Sequence, residues 1–260
     1  MIDDRRLTAV ALAGGVLEPD FRRAGLDAVN KAYLRIGGST MLERVLRALR
    51  SASTIGRIRC VTQPDAFGSA FGDDRTLCDD IVTPGGDLID SLLAGFAGVP
   101  DDEMVLVAAT DIPLVTARAL DAFVRSARGM ECDLGYGCVR KEPHVAAYPQ
   151  VRHTWVRLRE GTFCGAGVSL IRAGAANRVA SLLRSFAARR KSPLRLASLF
   201  SPFLVVRVAL GLVGIAELER RADELTGVRC RGIPSDEAEL AVNVDRLEDL
   251  QAIDRILARA

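Results

Sequence analysis

The order of apolar and polar residues divides the first half of the chain into short apolar runs and stretches with helical spacing. Residues 7–12 and 104–109 are apolar runs of strand length, which predict buried strands of a parallel sheet, and 58–62 is expected to form another short strand. Residues 40–49 and 116–128 place their apolar side chains on one face, which predicts amphipathic helices. Strands that alternate with helices in this way are typical of an α/β fold with a mainly parallel sheet and helices on both faces.

The second half of the chain is less regular, and its pattern predicts two short strands and three helices before a last helix. The strands are expected at 153–159 and 240–244, and the three helices at 173–190, 193–210 and 217–225. Gly227 is expected to end the third helix, and Asp245 is expected to begin the last one with an Asp-x-x-Glu box. Because no repeat or linker is evident, we expect one domain over 1–260 with an elaborated helical portion near 172–227.

Two strand ends carry candidate functional residues, since ligands of parallel sheets bind beyond the carboxyl ends of the strands. Two glycines after a strand let the backbone turn sharply and present N–H groups to an anion, although a plain turn is the commoner use of such a pair. The segment is not a P-loop, because no Gly-Lys-Ser/Thr follows it. The residues at the end of the first strand are Leu12, Ala13, Gly14 and Gly15.

Asp111 follows the most apolar strand of the chain. A carboxylate there is costly unless it is solvated, hydrogen-bonded or bound to a metal, so it is either a turn cap before Pro113 or a metal ligand. Asn243 and Asp245 flank Val244 in an extended segment and therefore point the same way. Together with Asp111 they are suited to hold Mg²⁺ with substrate phosphates, and the alternative for Asp245 is the N-cap of the last helix.

Lysine is rare in this chain: only Lys31, Lys141 and Lys191 occur among 35 basic residues. A chain that uses arginine for almost every other cation is expected to place lysine where a compact ammonium group matters. Lys31 lies close to the glycine pair and is a candidate phosphate ligand. The alternative is a solvated surface lysine.

The overall composition limits the class of partner. The formal net charge of +2 gives no electrostatic footprint for nucleic acid or an anionic membrane. The six cysteines form neither a Cys-x-x-Cys pair nor a zinc-spaced cluster, and the first residues do not resemble a signal peptide, so we expect a reduced, cytoplasmic protein. The apolar stretch 203–216 is too short to span a membrane and predicts a buried or interface helix.

Several motifs follow one another in a recognisable order. The first, from Ala11, reads Leu-Ala-Gly-Gly, then Asn-Lys-Ala-Tyr-Leu, Ile-Gly-Gly and Met-Leu-Glu-Arg-Val-Leu. It resembles the nucleotidyltransferases with a MobA-like NTP transferase domain, which include molybdenum-cofactor guanylyltransferases and sugar-phosphate and alcohol-phosphate nucleotidyltransferases. The resemblance continues at Gly85-Gly86, at 105–114, at 161–165 and at 242–250.

The resemblance implies a three-layer, glycosyltransferase-A-like α/β/α fold with a mixed, mainly parallel sheet. It implies Mg²⁺-dependent transfer of an NMP from an NTP to a small phosphorylated acceptor, with release of pyrophosphate. Leu12 to Gly15 would then hold the base and phosphates, with Gly85 and Gly86 near the base. Lys31 would contact phosphate. The remaining roles are metal binding by Asp111, Asn243 and Asp245, and the border of the acceptor pocket by Gly165 and Gly167.

One departure from the family pattern concerns the loop after Gly15. The family places an arginine close to the glycines and a lysine about ten residues after them, whereas this loop is longer. We expect Arg22 or Arg23 to supply the positive charge, with Glu18 and Asp20 facing solvent, and the alternative is a surface excursion in which the arginines pair with those acids.

Two other functions stay open at this point. A nucleotide-binding or regulatory protein that has lost catalysis would fit the altered loop. A nucleotide-sugar glycosyltransferase fits less well, because Asp111 is not part of an Asp-x-Asp motif. The sequence leaves the base, the acceptor and the oligomeric state open.

Overall fold

A mostly parallel sheet lies at the centre of this computed structural model, which describes residues 6–72, 76–189 and 202–258. The sheet strands are β1 Leu7–Leu12, β4 Ile55–Val61, β5 Asp80–Val82, β6 Met104–Ala109, β7 Leu134–Arg140, β8 Val156–Leu158, β9 Gly161–Arg172 and β10 Cys230–Ser235, and a separate ribbon is formed by β2 Arg35–Ile36 and β3 Ser39–Thr40. The α-helices are α1 Pro19–Arg23, α2 Met41–Ser51, α3 Pro64–Phe71, α4 Leu88–Phe96, α5 Ala117–Ala127, α6 Lys141–Ala147, α7 Ala176–Arg189, α8 Pro202–Ala209, α9 Ile215–Thr226 and α10 Leu247–Leu257.

The strand order brings the two candidate strand ends together. Across the sheet the order is β10-β7-β9-β6-β1-β4-β5, with β8 paired to β9. β1 is parallel to β4 and β6, whereas β9 is antiparallel to β6, β7 and β8. Leu12 lies level with Val61 on one side and with Ala109 on the other. The glycine pair after β1 and Asp111 after β6 therefore leave the sheet side by side.

Helices cover both faces of the sheet. One apolar cluster packs α2 and α5 against it through side chains such as Leu46 and Leu120, and a second packs α4 and α7 through Phe96 and Val179. α2 begins where Thr40 accepts a hydrogen bond from the backbone N–H of Glu43 (3.0 Å), as the capping pattern predicts. The expected three-layer α/β/α fold with a mixed, mainly parallel sheet is confirmed.

A third apolar cluster joins the segment after β1 to the last helix. It contains Phe21 of α1, Ile36 of β2 and Ile253 of α10, all fully buried or nearly so. Each such side chain contributes about 1.5–3 kcal/mol of burial free energy. This cluster fixes the position of Lys31 relative to the segment that carries Asp245.

The strand expected at 240–244 is not formed, and that prediction is wrong. Ala238–Ala241 form a 3₁₀ turn, and Val244 donates its N–H to the carbonyl of Asp111 (2.9 Å) instead of to a sheet ladder. Leu240 and Val244 are nevertheless fully buried. A short apolar run indicates burial, but its periodicity does not distinguish a strand from other buried backbone.

The last helix also begins later than expected. α10 starts at Leu247, and the carboxylate of Asp249 accepts hydrogen bonds from the backbone N–H groups of Asp245 (3.1 Å) and Arg246 (2.9 Å). Asp249 therefore caps the start of the helix alone, one residue after the expected Glu248, because the guanidinium of Arg246 has no acceptor with which to complete a capping box. Asp245 is not the N-cap, and its side chain makes other contacts.

The remaining elements differ mainly in their bounds. The amphipathic strand shortens to β8. Gly227 follows the last residue of α9, and its φ of +67° confirms the expected helix-ending glycine. The helices expected at 173–190 and 193–210 correspond to α7 and α8, with residues 190–201 outside the described part. The assignment of one domain over 1–260 stays a prediction. Within the described ranges, every helix falls short of the length and apolarity that crossing a bilayer requires.

Asp121 of α5 anchors the segment that leads into β4. Its carboxylate accepts hydrogen bonds of 2.7–3.1 Å from the backbone N–H and the hydroxyl of both Ser53 and Thr54. Burial alone would raise the pKa of Asp121, but these hydrogen bonds outweigh burial and lower the pKa from 3.8 to about 2.

Asp121→Asn should therefore lower the free energy of unfolding by about 2 kcal/mol at neutral pH, which is the worth of that pKa difference. Because the pKa is depressed in the folded state, the advantage of the wild type is complete above about pH 4 and declines as the pH falls toward 2. Urea denaturation of both proteins at about pH 7, 4 and 3 checks this. A stability difference that does not shrink with pH would contradict it.

Candidate functional site

A cleft of about 460 Å³ opens at the carboxyl edge of the sheet, where the sequence places its candidate residues. We call it the central cleft. The segment after β1, the turn that carries Lys31, the end of β6 and the middle of β9 all line it. Its lining includes Leu12, Gly14, Gly15, Val16, Glu18, Asn30, Lys31, Thr110, Asp111, Tyr136, Gly167 and Ser169.

The glycine pair is required by the local geometry. A Cβ at Gly14 would lie 2.8 Å from Cβ of Pro84, so no larger residue fits without displacing that loop. Gly15 has φ +120°, a backbone conformation that other residues rarely adopt. Among the described residues, no hydrogen bond from the N–H of Gly14 or Gly15 is found. The pair therefore presents two unbonded donors to a ligand in the central cleft.

Lys31 joins two of the predicted metal ligands. Its Nζ lies 2.8 Å from Oδ2 of Asp111 and 3.2 Å from Oδ1 of Asp245. Burial alone would lower the pKa of Lys31, but the charges and hydrogen bonds of the two carboxylates outweigh burial and raise it. The side chain of Lys31 is only 18% exposed, so Lys31 is not a freely solvated surface lysine.

The residues around this ion pair hold it in place. Asn243 donates a hydrogen bond from Nδ2 to Oδ2 of Asp245, so the two side chains do point the same way, as predicted. The bond from the N–H of Val244 to the carbonyl of Asp111 ties their two segments together. Asp111, Asn243 and Asp245 therefore meet, although their segments are distant in sequence.

The donor set around Lys31 fits a magnesium ion. Two carboxylates and one amide offer hard oxygen ligands, and Mg²⁺ is usually held by one or two carboxylates plus substrate phosphates and water. Among the described residues, no group of three or more His, Cys, Asp or Glu side chains is arranged as a metal cage.

The loop after Gly15 differs from the expectation in one respect. Glu18 lies at the central cleft, with Oε1 3.9 Å from Nζ of Lys31, whereas it was expected to face solvent; that prediction is wrong. The ammonium of Lys31 attracts it. Arg23 pairs with Asp20 at 2.6 Å, and both Arg22 and Arg23 are exposed on α1, away from the cleft lining. Their contact with nucleotide phosphate stays a prediction.

The other predicted glycines divide into two groups. Gly167 lines the central cleft, and a Cβ there would lie 2.6 Å from Cγ2 of Ile112. Gly165, Gly85 and Gly86 lie outside the lining, although Gly85 donates its N–H to the hydroxyl of Ser91 (3.1 Å) beside Gly14. Their roles in binding base or acceptor stay predictions.

Several lining residues have no counterpart in the sequence-based predictions. Val16, Leu88 and Tyr136 are large apolar side chains that are at least half exposed, and all three line the central cleft. Exposed apolar groups around a polar centre suit the flat face of a base or the apolar part of an acceptor. Val16 and Leu88 could have been indicated by their positions after a strand and at the start of a helix, whereas Tyr136 lies inside β7 and no sequence signal indicated it.

Two buried polar residues were also missed. Asn30 is 3% exposed and donates a hydrogen bond to the carbonyl of Ala13 (2.8 Å). Thr110 is 5% exposed and donates one from its hydroxyl to the carbonyl of Leu12 (2.7 Å). Asn30 could have been found as an Asn that precedes a tight turn, where its side chain caps the backbone.

Several solved structures resemble this chain. A hypothetical transferase from Thermus thermophilus is 32% identical, with a TM-score of 0.80, over 94% of this chain and 99% of that chain. A CMP:2-keto-3-deoxy-manno-octonic acid synthetase complexed with CTP is 14% identical, with a TM-score of 0.57, over 98% of this chain and 99% of that chain. A 4-diphosphocytidyl-2C-methyl-D-erythritol synthase is 18% identical, with a TM-score of 0.54, over 97% and 99% of the two chains. The last two similarities show the fold alone.

The family comparison covers the glycine loop, Lys31 and Asp111 together. The model of the MobA-like NTP transferase domain matches residues 9–188, which is more than half of the chain. The predicted resemblance is confirmed, and the chain belongs to the family with a MobA-like NTP transferase domain.

Proposed function

We propose that this protein is a nucleotidyltransferase that moves an NMP from an NTP to a phosphorylated acceptor, with release of pyrophosphate and in the presence of Mg²⁺. The observation that carries the proposal is the meeting of Lys31, Asp111 and Asp245 at a cleft that the glycine loop also lines. Unbonded N–H groups and an ammonium group suit a triphosphate, and paired carboxylates suit the cation that accompanies it.

The charges of the site support the need for a cation. Asp111, Asp245 and Glu18 place three carboxylates within 4 Å of a single ammonium, that of Lys31. A triphosphate would add further negative charge, so it binds well only with a counter-ion. Mg²⁺ held by Asp111, Asn243 and Asp245 would neutralise charge on the triphosphate and on the departing pyrophosphate.

The residues of the chain would contribute position and charge. The N–H groups of Gly14 and Gly15 and the ammonium of Lys31 would hold the phosphates. An acceptor oxygen attacks the α-phosphorus, the bond to the bridging oxygen breaks, and pyrophosphate leaves with that electron pair. This displacement needs no protein nucleophile, and the described residues that line the central cleft include neither Cys nor His.

The acceptor would enter beside the middle of β9. Gly167 and Ser169 line that side of the central cleft together with Tyr136 of β7. The absence of a Cβ at Gly167 lets Ile112 pack closely against β9, and the half-exposed ring of Tyr136 offers an apolar surface. This side is where we expect acceptor selectivity to be set.

The proposal is tested by pyrophosphate release. ATP, GTP, CTP and UTP are each supplied with Mg²⁺ and a panel of phosphorylated acceptors, and thermal denaturation is followed with each nucleotide. A nucleotide at 100 times its Kd stabilises the protein by about 2.7 kcal/mol, which is readily measured. Stabilisation and pyrophosphate release by one NTP are expected, and no response to any NTP would contradict the proposal.

A nucleotide-binding protein without catalysis is the second candidate. It is favoured by the position of Glu18 near Lys31 and by the distance of Arg22 and Arg23 from the cleft lining. NTP binding without pyrophosphate release, with every acceptor tried, would support this candidate over the first.

Replacing Arg22 and Arg23 together by Ala tests the expected role of the loop. If either arginine moves to the triphosphate, the double variant should lose NTP affinity by about tenfold, the scale of one charged hydrogen bond, with an unchanged melting temperature. Isothermal titration with the Mg²⁺ complex of the bound NTP measures this. Unchanged affinity would mean that the loop contributes no phosphate ligand.

A further inference from the structure

We propose that Asn30 is a positioning residue that fixes the glycine loop and Lys31 relative to each other; this inference rests on the proposed function. Asn30 stands immediately before Lys31, and its planar side-chain amide touches both parts of the phosphate site. Its predicted effect passes through Lys31 and the loop, and not through contact with the reacting atoms.

Both ends of the amide are used. Nδ2 donates to the carbonyl of Ala13 (2.8 Å), at the end of the first strand. Oδ1 accepts from the backbone N–H of Ala32 (2.9 Å) and so caps the 3₁₀ turn Lys31–Tyr33. The side chain is 3% exposed, so neither bond competes with bulk water. One rigid group therefore joins two segments that the chain separates by a long loop.

The bond to Ala13 also sets the direction of a ligand donor. The carbonyl of Ala13 and the N–H of Gly14 belong to the same planar, trans peptide unit. When Asn30 holds the carbonyl, the N–H of Gly14 must point the opposite way. The second bond fixes the backbone from which Lys31 projects. The side-chain amide of Asn30 thus sets the position and direction of the N–H of Gly14 relative to the ammonium of Lys31.

Apolar packing does not fix this relation by itself. Leu17, Phe21 and Leu34 anchor the loop in the third apolar cluster. Apolar contacts hold the loop in place, but they do not set the direction of a peptide N–H or carbonyl group. The neighbouring carbonyl of Leu12 is held separately by Thr110, whose hydroxyl makes its hydrogen bond there. Only Asn30, among the described residues, hydrogen-bonds through its side chain to both the glycine loop and that turn.

Asn30→Asp is the sharpest change, because it keeps the size and the acceptor for Ala32 but turns a carboxylate oxygen toward the carbonyl of Ala13. We expect NTP affinity to fall by about tenfold, the scale of losing a buried hydrogen bond at a charged site. Asn30→Ser, which can satisfy only one of the two partners at a time, should cause a smaller loss and serves if the Asp variant fails to fold.

Two controls separate positioning from stability. Asp121→Asn lowers stability far from the central cleft and should leave NTP affinity unchanged. In a Lys31→Met background, the loss caused by the Asn30 variant should be smaller than in the wild-type background, because the part that acts through Lys31 is gone while the part that acts through the N–H of Gly14 remains. Isothermal titration of each protein with ATP, GTP, CTP and UTP in the presence of Mg²⁺ supplies all the affinities.

The outcomes are distinguishable. Wild-type protein that binds no NTP would overturn the proposed function. Wild-type binding with unchanged affinity in both Asn30 variants would overturn the inference alone, as would losses that simply add to that of Lys31→Met. A loss that is clearly smaller in the Lys31→Met background than in the wild-type background supports it.

Discussion

Asp111→Asn is expected to lower turnover by roughly two to three orders of magnitude while the protein remains folded. The change removes one of the two carboxylates that face Lys31 and would hold Mg²⁺. The backbone carbonyl of Asp111, which accepts the N–H of Val244, is untouched by it. Pyrophosphate release at saturating NTP and the melting temperature are the two measurements.

The matched control for this variant is Glu224→Gln. Glu224 is an exposed carboxylate that pairs with Arg221 on α9, and its replacement should change neither quantity beyond a small surface effect. An Asp111→Asn protein with full activity and a lower melting temperature would show that Asp111 caps the turn before Pro113 and does not bind metal.

Lys31→Met is expected to change two affinities in opposite directions. The affinity for NTP should fall by roughly 10- to 100-fold, because a charged hydrogen bond to phosphate is lost. The affinity for Mg²⁺ in the absence of nucleotide should rise, because the ammonium of Lys31 competes with the ion for Asp111 and Asp245. Titration calorimetry with NTP and with MgCl₂ alone measures the two effects.

Lys141 provides the matched control, since it is an exposed lysine at the first residue of α6. Lys141→Met should leave both affinities unchanged. A Lys31→Met protein that binds Mg²⁺ more weakly than the wild type would mean that the ammonium supports the carboxylates and does not compete for them, and it would remove the argument for a shared cation position.

The strand-end residues of the site could be predicted because strand and site share one cause. A buried parallel strand is apolar and ends near the ends of its neighbours. The apolar runs before Gly14 and Asp111 therefore predicted two strands and also predicted that both residues lie at the carboxyl edge of the sheet. Lysine scarcity singled out Lys31 for a different reason, the selective use of a compact cation. These three positions needed no knowledge of long-range packing.

The position of Asp245 could not be derived in the same way. Its meeting with Lys31 depends on the third apolar cluster, whose members lie at opposite ends of the described chain. The capping pattern also misplaced it, because Asp249 takes the capping role and releases the Asp245 side chain. The sequence offers two possible helix starts one residue apart, at Asp245 and at Arg246. Tertiary contacts decide between them, and a local sequence pattern does not contain those contacts.

The third apolar cluster also has a consequence for the order of events during synthesis. Lys31 and Asp111 leave the ribosome well before Asp245, and α10 must follow before Ile253 can pack against Phe21 and Ile36. At about 5–20 residues per second, the nascent chain spends seconds with the central sheet complete and the cation site one carboxylate short. The cation side of the site is therefore completed last, after the glycine loop and the lysine that would hold the phosphates.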